Sequence, residues 1–404
     1  MASFSPATVA FIRLHAHEDV RRLAFMAGKF PDVDMPAALE QIKGRQVAVA
    51  KIPSWAAVEG IVYPPHLSLE QCSGESAARY KASLVRGLGA RSLVDLTGGL
   101  GVDFSWMARE MSRAVYVERQ ENLCELARVN FPLLGLSHAR VIRGEAERVL
   151  PSLPSVDLIY LDPARRDAAG GKTYAIADCV PDVSLLKEEL SRHARWVLVK
   201  LSPMLDWHAA VAAMRGERSG VAEVHVVSVD NECKELLLLL SEEPPLAPRL
   251  YCVNDDTRFS CDTALSFPPL AYGLPRVGDT LWVPNASVMK AGCFTAFAHR
   301  YRLRAVAPNS HLFFSPAVGE SVGDASSLPP ARLFRVTVIT SLNKKALRQA
   351  LAGVSRANVA VRNFPMSAVR LRKRLHLADG GDVFIFATTT SEGRHVLLVC
   401  EKRT

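Results

Sequence analysis

The chain has 404 residues, which is too long for one ordinary core, so two or three domains are expected. It is 49% hydrophobic and 22% charged, as soluble proteins are. It contains no apolar run of the roughly 18 residues that would span a bilayer, and we expect no membrane partner. Its first twenty residues lack the pattern of a secretory signal, which predicts a cytoplasmic protein.

The net charge of +8 is concentrated near the end of the chain. Residues 331–404 contain fourteen Lys and Arg but only four Asp and Glu, so the preceding residues are close to neutral. A basic terminal domain of this kind is typical of an attachment that binds a polyanion. The eight cysteines are scattered singly, without CxxC pairs, so we expect reduced thiols and no metal site.

The first two predicted segments differ in their apolar pattern. Residues 1–90 mix apolar and charged residues as helices do, and they predict an N-terminal helical extension. Residues 91–241 contain seven short apolar strands, of which the first five are separated by helix-length connections, and this alternation predicts a parallel, doubly wound sheet. The short link DNECKE between the last two strands predicts an antiparallel hairpin.

Two further segments complete the chain. Residues 242–330 hold eleven of the 24 prolines and predict a loop-rich middle segment with only short strand-like pieces. Residues 331–404 alternate strand and helix patterns and predict a small α+β domain with a four-stranded sheet. The predicted fold class is therefore α/β, with a helical extension before it and an α+β domain after it.

A glycine-rich turn, VDLTGGLGVDF, follows the first strand. A dinucleotide turn needs a third glycine where Phe104 stands, and a phosphate-binding P-loop needs Lys and Ser/Thr where Val102 and Asp103 stand. The turn suits S-adenosylmethionine (SAM), whose ammonium and ribose diol call for acids. Asp95 ends the first strand, and Glu118 ends the second, where it can accept hydrogen bonds from both ribose hydroxyls.

A third acid, Glu145, follows the third strand, where an acid often contacts the adenine amino group. Each of these acids taken singly could equally be a solvated residue at a strand end. The candidate cofactor-binding residues of this sheet edge are Asp95, Thr97, Gly98, Gly99, Gly101, Asp103, Glu118 and Glu145.

The fourth strand is followed by DPARRD, which places Asp162 and Pro163 at the carboxyl edge of the sheet. This resembles motif IV of methyltransferases that act on nucleic acid bases, in which the acid orients a base amino group. The usual second proline and aromatic are replaced by Ala164 and Arg165, so Arg165 is either a stacking residue or a surface charge.

The fifth strand ends in VLVKLSPM and adds Lys200 to the same edge as a fourth catalytic candidate, beside Asp162, Pro163 and Arg165. No cysteine stands there, so a covalent cysteine mechanism is not expected, although Cys179 in the preceding loop is an alternative nucleophile.

Several motifs together resemble a family of bacterial class I SAM-dependent methyltransferases that carry a THUMP-like C-terminal domain. They are EQCSGESAARYK, VDLTGGLGVDF, YVERQ, YLDPARRD, YAIADCVPD, VKLSPM, NECKELL, PNASVMKAG and NSHLFFS. The resemblance implies a Rossmann-like seven-stranded sheet, SAM as cofactor and an RNA-directed appendage. The turn is also similar, over about ten residues, to that of a ribosomal RNA guanine-N2 methyltransferase family, in which threonine likewise replaces the first glycine.

Two predicted helices of the C-terminal domain carry basic faces that would contact RNA phosphates, unless they are merely solvated. The candidate RNA-binding residues are Lys344, Lys345, Arg348, Arg370, Lys373 and Arg374. Upstream, Gln71 and Ser73 precede a helix and could contact the cofactor, although helix capping explains Ser73 equally well.

We therefore expect a SAM-dependent methyltransferase that modifies a base nitrogen of structured RNA, either tRNA or rRNA. Two alternatives remain open. The acceptor could be a protein or a small molecule, or the protein could bind RNA without catalysing a reaction.

Overall fold

The structure, a computed structural model, describes residues 4–64, 66–165, 175–316 and 329–403. It divides into two compact units. Unit 1 contains Met1–Val224 and Lys234–Leu246, and unit 2 contains His225–Cys233 and Ala247–Thr404. Across the described ranges, no helix has the length and apolar character needed to cross a membrane.

Six α-helices precede the first strand in the described part of unit 1. They are α1 (Pro6–Leu14), α2 (Val20–Ala24), α3 (Met35–Lys51), α4 (Pro53–Ala56), α5 (His66–Gln71) and α6 (Glu75–Gly87). Side-chain oxygens of Ser5, Asp19 and Asp34 accept hydrogen bonds from the first turns of α1, α2 and α3 and so cap these helices. Three helices of the predicted helical extension therefore begin at ordinary N-cap residues.

The sheet of unit 1 follows. Its elements, with two short paired strands inserted after the fourth, are β1 (Ser92–Asp95), α7 (Val102–Met107), β2 (Arg113–Glu118), α8 (Glu121–Leu133), β3 (Ala139–Arg143), α9 (Ala146–Val149), β4 (Val156–Leu161), β5 (Ala164–Arg165), β6 (Cys179–Val180), α10 (Val183–His193), β7 (Ala194–Leu201), α11 (Trp207–Ala213), β8 (Gly220–Val229) and β9 (Glu232–Ser241). Short 3-10 helices cover Ala27–Lys29, Ala108–Glu110, Leu150–Ser152 and Ile176–Asp178.

The seven strands that the sequence predicts lie in the order β3-β2-β1-β4-β7-β9-β8. β1 pairs in parallel with both β2 and β4, and β4 pairs in parallel with β7, whereas β7 pairs antiparallel with β9. Asp230 and Asn231 both have positive φ at the turn before β9, as a tight hairpin requires. The predicted parallel strands and antiparallel hairpin are confirmed, although the sheet continues beyond β8 and the hairpin is not its end. The strand order reverses between β1 and β4, where such sheets bind ligands.

Unit 2 contains the remaining elements. They are β10 (Arg249–Asn254), β11 (Thr257–Asp262), β12 (Thr280–Pro284), α12 (Ala286–Ala291), α13 (Phe294–Arg300), β13 (Arg304–Ala305), β14 (Phe313–Ser315), β15 (Ala331–Thr340), α14 (Lys344–Ala350), β16 (Asn358–Arg362), α15 (Ala368–Arg374), β17 (Val383–Thr389) and β18 (His395–Lys402).

The C-terminal sheet is larger than the sequence predicts. The four expected strands are present as β15, β18, β17 and β16, but β12 pairs with β15 over its whole length, and β14 and β13 continue beyond it. The middle segment is thus partly an extension of this sheet rather than a separate loop-rich region. Its strands are too short for the apolar pattern to reveal a partner more than forty residues away.

Two apolar clusters cover the two faces of the C-terminal sheet. Leu347 of α14 and Leu371 of α15 pack with Ile385 on one face, which places both helices on the same side. Phe334 and Phe386 pack in the cluster on the other face. The predicted α+β architecture of this region is confirmed.

Candidate functional site

The glycine-rich turn after β1 is held in place by backbone hydrogen bonds. The amide of Gly98 donates to the carbonyl of Val117 at 2.8 Å, and the amide of Gly101 donates to the carbonyl of Gly98 at 2.9 Å. Gly99 and Gly101 have φ values of 57° and 84°, which non-glycine residues rarely adopt. The sequence forms a tight turn here because glycines stand where the chain must enter this left-handed region.

Gly98 is required for a different reason. A Cβ atom at this position would lie 2.2 Å from the ring of Tyr116, which fills that space. The hydroxyl of Tyr116 donates to the carbonyl of Gly99. Tyr116, which lies on the neighbouring strand β2, therefore determines the shape of the turn. The sequence pattern did not indicate this role.

Asp95 lies at the carboxyl end of β1 and is 1% exposed. Its Oδ1 accepts a hydrogen bond from the amide of Thr97 at 2.9 Å. Burial raises the pKa of this carboxyl group well above its usual value, and the carboxylates of Asp103, Asp162 and Glu118 add to the effect against the opposing hydrogen bond. Ionised Asp95 would therefore be stabilised by a cation bound at this edge.

Glu118 ends β2 and is 6% exposed. Its Oε2 accepts from the amide of Gly99 and its Oε1 accepts from the amide of Gln120, both at 2.8 Å. These two bonds fix the carboxylate beside the glycine turn, and its remaining lone pairs can accept from two further donors. This is the arrangement that a diol requires.

Asp162 follows β4 and makes two contacts that fix its position. Its amide donates to Oγ1 of Thr97 at 2.6 Å, and its Oδ2 accepts from Nζ of Lys200 at 2.5 Å. Burial would lower the pKa of Lys200, but the neighbouring carboxylates, Asp162 foremost, raise that pKa above its usual value. Lys200 is therefore an ammonium at neutral pH, and it cannot serve as a general base.

Behind Asp103 lies a buried ion-pair network. Nζ of Lys81 on α6 lies 2.6 and 2.7 Å from the carboxylate oxygens of Glu235 on β9 and 3.2 Å from Oδ1 of Asp103. Oδ2 of Asp103 accepts from the Tyr160 hydroxyl at 2.7 Å. Burial would raise the pKa of Asp103, but Lys81 and Lys200 lower it below its usual value, so Asp103 is ionised.

Lys81, Tyr160 and Glu235 were not predicted from the sequence. Each of them lies in a motif of the family resemblance, Lys81 in SAARYK, Tyr160 in YLDPARRD and Glu235 in NECKELL, but the motifs do not show their contacts. No periodicity links Lys81 to Glu235, because 154 positions separate the two residues.

The other predicted cofactor-binding residues of unit 1 lie in different surroundings. Ser73 does not cap α6, since the N-cap residue is Gly74; its hydroxyl donates to Oδ2 of Asp103 at 2.8 Å. Gln71 is exposed at the end of α5. Glu145 is the N-cap residue of α9, and its half-exposed carboxylate forms an ion pair with Nε of Arg148 at 2.9 Å rather than joining the buried acids.

The segment after Asp162 is only partly described. Pro163 is buried, and Ala164 and Arg165 pair with Val180 and Cys179 in the short β5–β6 ladder. The side chain of Arg165 lies outside the described part of the structure. Cys179, the alternative nucleophile, is 3% exposed.

Among the residues that the structure describes, acidic groups outnumber basic ones around the turn. The carboxylates are those of Asp95, Asp103, Glu118, Asp162 and Glu235, and the ammonium groups are those of Lys81 and Lys200. In a partly buried site this excess favours a ligand with positive charge and hydroxyl donors over one with phosphates. Among the described residues, no group of three or more His, Cys, Asp or Glu side chains is arranged to hold a metal ion.

In unit 2, the predicted basic residues lie on the two helices of the C-terminal domain. Asn343 and Ser367 cap α14 and α15. The exposed side chains are those of Lys344, Lys345, Arg348, Arg370, Lys373 and Arg374, and none of the six forms an ion pair with another described residue. Both helices cover one face of the sheet, so the charges share one side of this unit.

A solved structure resembles this chain over its whole length. It is that of a "putative methyltransferase" from Porphyromonas gingivalis W83, with 32% identity, coverage of 100% of both chains and a TM-score of 0.83. Residues 331–402 match the family described as THUMP domain-like, and residues 281–321 match a family described as a ferredoxin-like domain. No curated protein matches the chain.

Weaker structural matches cover only part of the chain. Cofactor-bound Rv0187 from MTB is 18% identical over 55% of this chain and 97% of its own, with a TM-score of 0.35. An rRNA methylase from Streptococcus thermophilus is 12% identical over 40% of this chain and 94% of its own, with a TM-score of 0.32. At these scores neither match bears on the site or its substrate.

Proposed function

Because the chain belongs to the class I SAM-dependent methyltransferase family with a THUMP-like C-terminal domain, we propose that it transfers a methyl group from SAM to a base nitrogen of structured RNA. The observation that carries the proposal is the convergence of Asp95, Glu118 and Asp162 on the glycine turn at the carboxyl edge of the sheet. Each acid comes from a different strand, at the edge where such sheets bind ligands.

The residues of this edge fit SAM by their chemistry. Glu118 would accept from the ribose hydroxyls, and Asp95 would hold the ammonium, directly or through water. When bound, SAM supplies a methyl group already activated by the sulfonium. The conformation of Gly99 and Gly101 would let the backbone come close to the cofactor, and the excess of carboxylates matches the positive charge of SAM.

We expect Gln71, Ser73 and Glu145 to contribute less to SAM binding than Asp95 and Glu118. Ser73 acts through Asp103, to which it is bonded. Gln71 and Glu145 would reach the cofactor only if the cofactor extended towards the exposed ends of α5 and α9.

On the acceptor side, Asp162 orients the amine that receives the methyl group. Lys200 occupies Oδ2 of Asp162, which leaves Oδ1 to accept from the acceptor amine, together with the backbone carbonyl of Pro163. Because Lys200 stays protonated, no strong base stands at this position, and catalysis is mainly alignment. Arg165 is the candidate for stacking on the base.

The RNA acceptor is supported by the THUMP-like match and by the basic side chains of α14 and α15, which form no ion pair within the described part of the chain. Such charges contact phosphates and position an RNA without reading its sequence. If the acceptor is instead a protein or a small molecule, reversing the charge of Lys344, Lys345, Arg370 and Lys373 will leave RNA binding and methyl transfer unchanged.

Cofactor binding is tested by isothermal titration with SAM and S-adenosylhomocysteine (SAH). Replacing Glu118 with alanine should weaken SAH binding at least a hundredfold, because two hydrogen bonds to a charged group are lost, at about 1.5–3 kcal/mol each. Glu125→Ala, which removes an exposed carboxylate from α8, is the matched control and should leave the affinity unchanged. No binding by the wild type, or equal affinity of wild type and Glu118→Ala, would contradict the proposal.

Catalysis and the acceptor are tested by nucleoside mass spectrometry of total RNA from wild-type and deletion strains. We expect one methylated nucleoside to disappear in the deletion strain. It should return with the wild-type gene and with the charge-conserving control Glu125→Asp, but not with Asp162→Ala. Return with Asp162→Ala would refute the role of Asp162, and an unchanged RNA profile would refute the RNA acceptor.

A further inference from the structure

A cavity lies in unit 1, at the opposite edge of the sheet from the site described above. It has a volume of about 590 Å³. Its lining comes from the last turns of α6, from residues 89–91 just before β1 and from residues 106–111 just before β2. Asp95 and Glu118 lie at the other ends of β1 and β2, roughly 13 Å away at about 3.3 Å per residue. The cavity is therefore separate from the proposed SAM site.

Four arginines line this cavity, and one carboxylate, that of Glu110, accompanies them. Arg86 is bonded to Glu110, with its Nε 2.9 Å from Oε2. Arg79, Arg91 and Arg109 form no ion pair with another described residue, and all three are exposed. The cavity thus carries three guanidinium groups that are free to bind an anion.

The cavity also contains an aromatic surface. The guanidinium carbon of Arg109 lies 3.7 Å from the ring centre of Trp106, and that of Arg79 lies 5.4 Å from it. Burial and the charge of Arg79 lower the pKa of Arg109 while Glu75 raises it, with burial the largest of these effects. A cation already held against an indole ring is partly dehydrated and pre-oriented, which suits it for an anion that also has a planar group.

We propose that this cavity binds the phosphate group of a nucleotide, with the base beside Trp106 and Arg109. Guanidinium groups match phosphate oxygens bidentately, and Arg together with an aromatic ring is the usual platform for a nucleobase. The volume lies within the range of about 300–1,000 Å³ that small-molecule sites occupy, which leaves room for a ribose and a base as well as the phosphate. The nucleotide is either free or part of an RNA strand.

The test is isothermal titration of the full chain with two probes, AMP and a 5′-phosphorylated oligoadenylate RNA, at about 50 mM salt, where phosphate contacts are strong. Arg79→Gln/Arg109→Gln should weaken binding at least tenfold. Arg21→Gln/Arg22→Gln, which removes the same charge from exposed positions on α2, is the matched control and should stay within twofold. An unchanged circular dichroism spectrum and an unchanged thermal unfolding midpoint show that the variants are folded.

The two probes distinguish the two sources. If AMP binds the wild type and loses affinity in Arg79→Gln/Arg109→Gln, the site takes a free nucleotide. If only the oligonucleotide shows this loss, the site takes a nucleotide of an RNA strand. The oligonucleotide titration is repeated in a protein whose basic residues on α14 and α15 are charge-reversed, so that RNA binding by these helices does not hide binding at the cavity. If neither probe distinguishes the variant from the wild type, or if the control is equally impaired, the proposal is wrong. Methyl transfer is not measured, so the result does not depend on the proposed function.

Discussion

Removing the buried ammonium of Lys81 should destabilise unit 1 strongly. Lys81 is completely buried and contacts the carboxylates of Glu235 and Asp103, which are also buried. Lys81→Met keeps most of the side-chain volume but leaves two carboxylates without their shared cation. Breaking a buried pair from one side costs about 3–5 kcal/mol, so we expect the free energy of unfolding to fall by that amount.

The pH dependence of this loss has a definite sign. Burial already raises the pKa of Glu235, and without Lys81 its folded-state pKa rises further above its unfolded value, so protonation favours the folded variant. The deficit should therefore be smaller at about pH 5 than at about pH 8, because it grows as this carboxylate ionises. The double variant Lys81→Met/Glu235→Leu should recover a large part of the loss, since an apolar pair can replace a buried ion pair.

The assay is equilibrium urea unfolding followed by circular dichroism, with SAH added in parallel to identify the transition of the unit that binds it. Arg22→Met, at an exposed position of α2, is the control and should lie within about 0.5 kcal/mol of the wild type. A loss below about 1 kcal/mol in Lys81→Met, or a further loss on adding Glu235→Leu, would refute the assignment of this network as a coupled buried pair.

Three further results are expected. The affinity for SAH should rise with pH above the range where an aspartate usually ionises, because burial raises the pKa of the Asp95 carboxyl, and titrations of Asp95→Asn should show no such slope. Gly98→Ala should lower the thermal unfolding midpoint and weaken SAH binding, at a cost of about 1–3 kcal/mol from its clash, while Gly28→Ala, with open space around it, should have neither effect. Thr97→Val should slow methyl transfer to RNA of the deletion strain about tenfold because the amide of Asp162 loses its acceptor, whereas Thr97→Ser should preserve the rate; equal rates in both variants would contradict this role.

The strand pattern of the sequence was enough to predict which candidate residues lie at the ends of strands. The positions of Asp95, Glu118 and Asp162 follow from the strand pattern alone, because the carboxyl ends of parallel strands meet at one edge. The sequence did not predict the contact between Lys81 and Glu235, because a lysine in an amphipathic helix is normally expected to be solvated. Only the packing of α6 against a strand far along the chain shows that its charge is buried.

The same limit explains the middle segment and Ser73. The run TLWVP is apolar enough to be a strand, but nothing in it indicates that it pairs with β15. Ser73 satisfies a capping pattern, yet its hydroxyl bonds to Asp103 while Gly74 takes the N-cap position. Local signals predict which elements form, and contacts between distant elements decide what their side chains do.

The contact between Tyr116 and Gly98 has a consequence for how related sequences can diverge. The ring occupies the volume of the missing side chain, and its edges pack on Phe104 and Phe131. A substitution at position 98 can therefore persist only in lineages where position 116 has already become smaller. Covariation between positions 98 and 116 is thus the evolutionary trace that this geometry should leave.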